Sequence, residues 1–503
     1  MVVLWGSIMT QILQQLYAMV WGVPALVLIL GVGLYLSLRT GFAQVRLFPR
    51  ACAEFVSRLR PRSRTDEGIS GFQALCTALA ATVGTGNIAG VAGAITIGGP
   101  GAIFWMWICG LLGMIIKLAE AALSVRYRIC RNGEFIGGPM YMISNGMRKR
   151  WLWLGTVYSF FGVIAALGVG NATQINAVLT GINECILSFG GTPSRKLDLL
   201  LACFMAVLVL TLLLGGAGRI GRITETLVPF AAAAYLLLGT VVLVLRCHYI
   251  PSAFHAIIRG AFSPEAVTGG VLGSAAVTLR VGISRGVFTN EAGMGTAGIA
   301  HAGANVRHPM DQGLMGIMEV FLDTIVICTM TALVILCSGV SIPYGAAAGA
   351  ELTMESFSLV FGNWIRLFIT LSLCLFAFAT VLGWGLYGAR CAQYLFGNKV
   401  WKTFSILQAA TVILGALLNT GTVWLMAEIV NGLMAIPNLI ALTVLSPELS
   451  RLIIDFQKRT GNGAGGGTSC KYPSMQTAAN PHLCGNFTPS RWQQRKRGRK
   501  YTT

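Results

Sequence analysis

Apolar residues run along this chain in long blocks, and the stretches between them are short and rich in arginine and lysine. A helix that crosses a bilayer needs about 20 mainly apolar residues. By that measure the pattern predicts eleven spans, at residues 18–38, 69–97, 98–127, 151–187, 197–214, 223–245, 267–302, 313–337, 364–387, 403–418 and 423–445. Residues 48–59 and 251–262 are shorter and two-faced, which predicts helices lying along the membrane surface. Beyond residue 460 Gly, Ser, Thr, Asn and Pro take over, and the chain reaches Arg495-Lys-Arg-Gly-Arg-Lys500 near its end. That composition predicts a disordered basic tail over 461–503 behind a membrane domain over 1–460.

Two blocks break the pattern. In the second, Gly84, Gly86 and Gly90 weaken helix continuity, and Thr82, Thr85 and Asn87 bring polar groups to the same point. Gly86-Asn-Ile-Ala-Gly90 is also a G-x-x-x-G, so a tight helix contact is the competing reading. The seventh block carries Arg280, Gly282, Arg285, Gly286, Asn290, Glu291, Gly293 and Gly295. With the first span set aside, ten remain, and these two blocks open two five-helix halves, over 69–216 and 267–447. Five spans between equivalents gives the halves opposite orientation. Interrupted helices at matching places in inverted halves point to a transport site near the membrane midplane. The expected fold is therefore an all-α polytopic membrane protein with a 5+5 inverted repeat, one extra N-terminal helix and two discontinuous helices.

Composition agrees with a membrane chain. Hydrophobic residues make up 55% and charged residues 11% of the 503, against roughly a quarter charged in soluble domains. A net charge of +19 raises the question of nucleic acid, but the basic residues sit in connections and the tail rather than on one groove. Arg39 to Arg64, Arg126 to Arg150, Arg219 with Arg222, Arg390 to Lys402 and Arg451 to Arg459 cluster on one side of the predicted topology. This places the N-terminus outside and the C-terminus in the cytoplasm. The first apolar block is of spanning length with no basic region before it, so it reads as a span rather than a leader. The cysteines contain no C-x-x-C, and no Walker loop occurs, so neither a metal site nor ATP-driven pumping is supported. No histidine lies well within a span to serve a hydrolase, and no pore-loop repeat suggests a channel.

Half-helix N-termini offer free N–H groups and a positive dipole end, which suits a carboxylate. Unwound carbonyls with threonine hydroxyls suit a small hard cation. One such site can hold a small zwitterion beside a coupling ion.

Several runs resemble the alanine or glycine:cation symporters, the sodium:alanine symporter family. They are Gly98-Gly-Pro-Gly-Ala-Ile-Phe-Trp-Met-Trp107, Thr82-Val-Gly-Thr-Gly-Asn-Ile-Ala-Gly90 and Arg285-Gly-Val-Phe-Thr-Asn-Glu-Ala-Gly293. With them go Asp323-Thr-Ile-Val-Ile-Cys-Thr-Met-Thr-Ala332, Gly383-Trp-Gly-Leu-Tyr-Gly388 and Leu433-Met-Ala-Ile-Pro-Asn438. The resemblance covers about residues 15 to 455. It implies a LeuT-type inverted-repeat transporter of the bacterial inner (plasma) membrane that imports alanine or glycine with sodium. No cofactor and no metal beyond the coupling sodium is implied. Substrate contacts are implied for Thr85, Gly86, Asn87, Asn171, Gln174, Gly282 and Trp384, and cation contacts for Thr82, Gly84 and Thr380. Gly282 and the Arg285-Gly286 pair match the second break. The family usually has a serine before that last threonine, and this chain has Ala379, which keeps proton coupling open as the alternative. Ala389 replaces a usual acid, and Gly110 a usual small residue.

Ionisable groups inside spans are functional candidates. Lys117 and Glu120, three apart on one helix, are expected to pair with each other. Arg280, Arg285 and Glu291 are candidates for a gate or an ion pair, and Asp323 for pairing with a base or for coupling. Glu428 is expected to satisfy backbone near Asn431 and Asn438. His255, His301 and His308 are expected in loops, and Trp105, Trp107 and Trp153 at the membrane interface.

Overall fold

The computed structural model describes residues 12–17, 19–20, 23–59, 68–131, 133–270, 274–346, 349–417 and 420–461. The predicted tail, apart from Gly461, lies outside the described residues, as do Arg60 to Arg64.

Helices dominate. Among the described residues, eight helices are long and apolar enough to cross a membrane, at 102–126, 149–188, 195–213, 216–245, 309–338, 365–396, 400–417 and 428–459. Each falls on a predicted span. The second predicted span is a bent pair, Gly71–Thr82 and Gly86–Gly98, whose axes turn by 51° at the break. The first is the shorter helix α1 (Val23–Arg39). Both two-faced stretches are helical, as α2 (Phe48–Leu59) and, later in the chain, Ile250–Phe262.

The two interrupted helices set the architecture. Helix α3 (Gly71–Thr82) starts on a capping box, in which the Ser70 hydroxyl accepts from the Gln73 amide and the Gln73 side chain accepts from the Ser70 amide. It stops at Val83, whose backbone is extended. A π-helical turn over Gly86–Gly90 restarts the chain and leads into α4 (Val91–Gly98). Next comes α5 (Ala102–Arg126), buried along most of its length.

The second break falls within the glycine-rich stretch 280–295 but at its far end, not at Gly282 and the Arg285–Gly286 pair where the resemblance implied it. Helix α6 (Ala275–Asn290) runs unbroken through Gly282 and Gly286. Those glycines are contact points: a Cβ at Gly282 would run into the Ala102 carbonyl and the Trp105 side chain of α5, and one at Gly286 would press on Cys109. The chain leaves the helix at Glu291–Gly295 and resumes in α7 (Thr296–Ala302). Glu291, Gly293 and Gly295 all have positive φ, at 53°, 96° and 79°. Glycine meets that demand without strain, and Glu291 meets it against its preference. The two interrupted helices also touch end to end, because the Asn305 amide donates to the Ile69 carbonyl at 2.8 Å.

Around them pack α8 (Pro309–Val320) and α9 (Ile365–Phe396). Last comes α10 (Thr420–Gly461). Helix α5 lies against both α8 and α6, so the centre of the bundle is built on α5. Several elements escape the apolar pattern, among them a helix over Pro139–Gly146 and two more. One is a hairpin pairing Ile129–Arg131 with Glu134–Ile136, and the other is a helix over Ala350–Phe361.

Candidate functional site

Backbone that leaves a helix inside a membrane must find partners within the protein or at a cavity. The first break illustrates both. The Gly84 amide would ordinarily donate to the carbonyl four residues back, at Ala80. It donates instead to Asn87 Oδ1 at 2.9 Å. The Ala80 carbonyl is taken by the Thr380 hydroxyl of α9 at 3.0 Å, and that hydroxyl also lies 3.0 Å from the Phe376 carbonyl. Farther along, the Ile88 carbonyl accepts from the Thr353 hydroxyl at 3.2 Å. Asn87 is itself held, donating through Nδ2 to Asp323 Oδ1 at 2.7 Å. Asp323 Oδ2 accepts from Thr324 at 2.9 Å.

The groups left over face a small cavity. It is lined by Ala81, Thr82, Gly84, Thr85, Gly86, Val169, Gln174, Phe288, Glu291, Thr380 and Trp384 and has a volume of about 20 Å³. Both breaks, the helix containing Gln174, and α9 therefore meet at one place. The Thr85 hydroxyl donates to Gln174 Oε1 at 3.1 Å. Gly84 has no room for a side chain, since a Cβ there would stand 2.6 Å from the Thr380 hydroxyl oxygen. Gly86 abuts Thr289 and Phe288 of α6. A Cβ at Gly90 meets nothing within 4 Å, so the G-x-x-x-G is not a two-glycine packing seam.

Most implied site residues converge here: Thr82, Gly84, Thr85, Gly86, Gln174, Thr380 and Trp384 line the cavity. Thr82 does so with its hydroxyl bonded back to the carbonyls of Ala78 and Leu79. Asn87 stands behind the break and braces it. The Asn171 side-chain amide points to the Gln408 carbonyl and the Thr411 hydroxyl, not to the cavity. Gly282 lies against α5, one helix away. Ala379 is buried and offers no oxygen, so Thr380 supplies the hydroxyl on that face.

The charged groups pair differently from the sequence expectation. Glu291 meets neither Arg280 nor Arg285. Its Oε1 accepts from the Trp384 indole at 2.8 Å and its Oε2 from the Thr296 hydroxyl at 2.7 Å. Arg285 pairs with Glu428 of α10 at 3.1 Å, and Arg280 is exposed. Lys117 pairs with Glu319 of α8 at 2.8 Å rather than with Glu120, and both side chains are fully buried. Glu319 also contacts His301, which lies buried in α7 and not in a loop. Residues three apart on one helix can face one another, but here the neighbouring helices offer better partners. Trp105 and Trp107 are half-buried and donate to the Ala261 carbonyl and the Thr329 hydroxyl, while Trp153 is exposed.

Glu120 has a role the sequence reading missed. Its Oε1 accepts from the amides of Gly293 and Gly295, at 2.9 and 3.0 Å, and from Asn438 Nδ2 at 2.8 Å. Asn438 in turn donates to the Gly293 carbonyl. One carboxylate oxygen thus collects the amides that the second break frees, as Asn87 does at the first. The signal was available: a buried acid on a neighbouring span has to meet donors, and a glycine-rich break supplies them.

The comparisons with known proteins come to the same point. A sodium/alanine symporter, AgcS, of Methanococcus maripaludis is 44% identical over 85% of this chain and 92% of its own length. An uncharacterised transporter of Haemophilus influenzae is 42% identical over 89% of this chain and 96% of its own. A probable sodium/glutamine symporter, GlnT, of Bacillus subtilis is 35% identical over 90% and 93%. Among solved structures, MhsT in complex with L-phenylalanine superposes with a TM-score of 0.53 at 16% identity, covering 78% of this chain and 99% of that one, which shows a shared fold. The family model described as the sodium:alanine symporter family matches residues 6–468, and this chain, a multi-pass membrane transporter and not an enzyme, belongs to that family.

Proposed function

We propose that this protein imports a small neutral amino acid, alanine or glycine, together with sodium, by alternating access around the cavity at Gly84–Gly86. The observation that carries the reading is the meeting of the first break with the Thr380 hydroxyl across a glycine that has no room for a methyl group. The restarted half-helix turns its N-terminal end to the cavity, and amides at such an end have no partner in their own helix. They and the Thr85 hydroxyl would take the substrate carboxylate. The carbonyls of Ala80 and Phe376 and the Thr380 hydroxyl already gather three oxygens, the donor type a sodium ion takes. Phe288, Val169 and Trp384 form the apolar wall that a small side chain would meet as the cavity opens to admit it.

The two broken helices would be equivalent members of two inverted halves, and one bundle would rock against the other. The Arg285–Glu428 pair would then break or form as the cavity opens, since Arg285 sits one turn from the cavity-lining Phe288. In this reading the basic connections face the cytoplasm, so the N-terminus would lie outside and the C-terminus on the cytoplasmic side of the plasma membrane. Proton coupling is the second reading, favoured by the missing oxygen at Ala379. Uptake of labelled alanine and glycine into proteoliposomes under an imposed sodium gradient, a proton gradient or none separates the two. Sodium-driven uptake supports the proposal, and uptake that ignores sodium refutes it.

A further inference from the structure

Glu291 lines the cavity, yet both of its oxygens are turned to the protein. Oε1 accepts from the Trp384 indole N–H and Oε2 from the Thr296 hydroxyl. Its backbone sits in the left-handed region at φ 53°, ψ 20°, in the first step of the second break. A non-glycine residue holds that conformation when its surroundings over-determine it. The two hydrogen bonds and the amides fixed by Glu120 supply that constraint.

Trp384 is the largest side chain on the cavity wall and is 1% exposed. Its Cβ side lies flush on Gly170, where any side chain would collide with it. Its ring meets Tyr387 edge-on, with centroids 5.8 Å apart. Packing fixes the backbone side of the indole, and the Glu291 bond fixes its polar edge. Without that bond the ring is free to turn about its side-chain torsions, and the indole N–H is left buried without a partner.

We infer that Glu291 is a positioning residue that holds Trp384 as a rigid wall and so sets the upper size of the transported side chain. This rests on the amino-acid transport proposed above. It also ties the wall to the second break, because the acceptor belongs to the broken helix and the donor to α9. A change in the break would move the wall, so the cavity would have its narrow shape only in the conformation that forms this bond.

The test uses the full chain in lipid nanodiscs and proteoliposomes. With 15N-labelled indoles, the Trp384 N–H signal is identified by its loss in Trp384→Phe. Glu291→Gln retains an acceptor oxygen and is expected to leave that signal near its place. Glu291→Ala is expected to shift it and speed its hydrogen exchange. In transport, unlabelled alanine and glutamine compete with labelled alanine. The ratio of glutamine's half-inhibiting concentration to alanine's should fall roughly tenfold or more in Glu291→Ala, a typical scale for size discrimination in an apolar pocket. Glu291→Gln should restore the ratio, and Trp384→Phe, which lacks the donor, should lower it even if Glu291→Ala fails to fold. An unmoved indole signal in Glu291→Ala overturns the inference. So does an identical loss of selectivity in the Ala and Gln variants, or an unchanged ratio in Trp384→Phe. If the protein carries neither alanine nor glycine, the transport reading fails while the indole measurement still reports on the contact.

Discussion

Replacing Gly84 with alanine adds one methyl group at the point where the first break meets α9. The new Cβ would lie 2.6 Å from the Thr380 hydroxyl oxygen and 3.7 Å from Gln174 Oε1. Ordinary contact requires roughly 3.5 Å, so the Thr380 oxygen must retreat by about 0.9 Å. Thr380 is β-branched and cannot do this by a small adjustment of a long chain. It rotates away, and the Ala80 carbonyl loses its partner. A net hydrogen bond is worth about 0.5–1.5 kcal/mol, and an unpaired buried carbonyl costs about 1–3 kcal/mol. A loss of about 1.4–2.8 kcal/mol of cation affinity corresponds to roughly 10- to 100-fold. Half-saturating sodium for alanine uptake should rise by that factor in Gly84→Ala, and Thr380→Val should reproduce the effect without adding bulk. Gly90→Ala is the control, because its methyl meets nothing within 4 Å. A folded Gly84→Ala transporter with wild-type sodium dependence would refute the reasoning, and so would equal damage from Gly90→Ala.

Three further outcomes follow from the same contacts. Lys117→Met leaves Glu319 buried without its cation and should destabilise the folded protein by about 3–5 kcal/mol in thermal unfolding. Adding Glu319→Leu should recover part of that loss, and a double variant no more stable than the single one would show that the pair is not the cause. Asn87→Ala frees both the Gly84 amide and Asp323, so the affinities for alanine and sodium should fall together; a change confined to one of them would show that Asn87 is a simple ligand. Outside the membrane-spanning helices, burial holds the His308 ring below the usual histidine range, although Asp455 pulls the other way. A depressed pKa means the folded state resists protonation, so His308 costs stability as pH falls through about 6.5. Hydrogen-exchange protection factors at residues 445–459, corrected for the intrinsic pH dependence of amide exchange, should fall between pH 8 and pH 5.5, and His308→Gln should flatten that dependence.

The spans were legible because bilayer thickness imposes a length of apolar sequence that little else produces. The first break was legible because three glycines and three polar residues coincide at Thr82–Gly90. The second was legible only as a stretch, 280–295, and the resemblance set it about one helical turn or more too early, at Gly282 and Arg285–Gly286. Gly282 and Gly286 looked like breakers, and only the neighbouring Ala102, Trp105 and Cys109 reveal them as contact points. Charge pairing was least legible. Lys117 and Glu120 are close in sequence, but partner choice depends on which helices touch, and α8 and the second break lie across from them. Asn171 shows the same limit, since its rotation on the helix decides between cavity and bundle. The helix over Ala350–Phe361 escaped notice because it is short, yet its Thr353 satisfies a carbonyl of the first break.

The central claim is that solute and ion share one site at Gly84–Gly86. Binding of labelled alanine at increasing sodium, and of labelled sodium at increasing alanine, tests it on the same purified protein. Linkage requires each ligand to raise the affinity of the other by the same factor. The account predicts a common factor well above one in the wild type that collapses toward one in Gly84→Ala. Alanine binding that is indifferent to sodium in the wild type would contradict it.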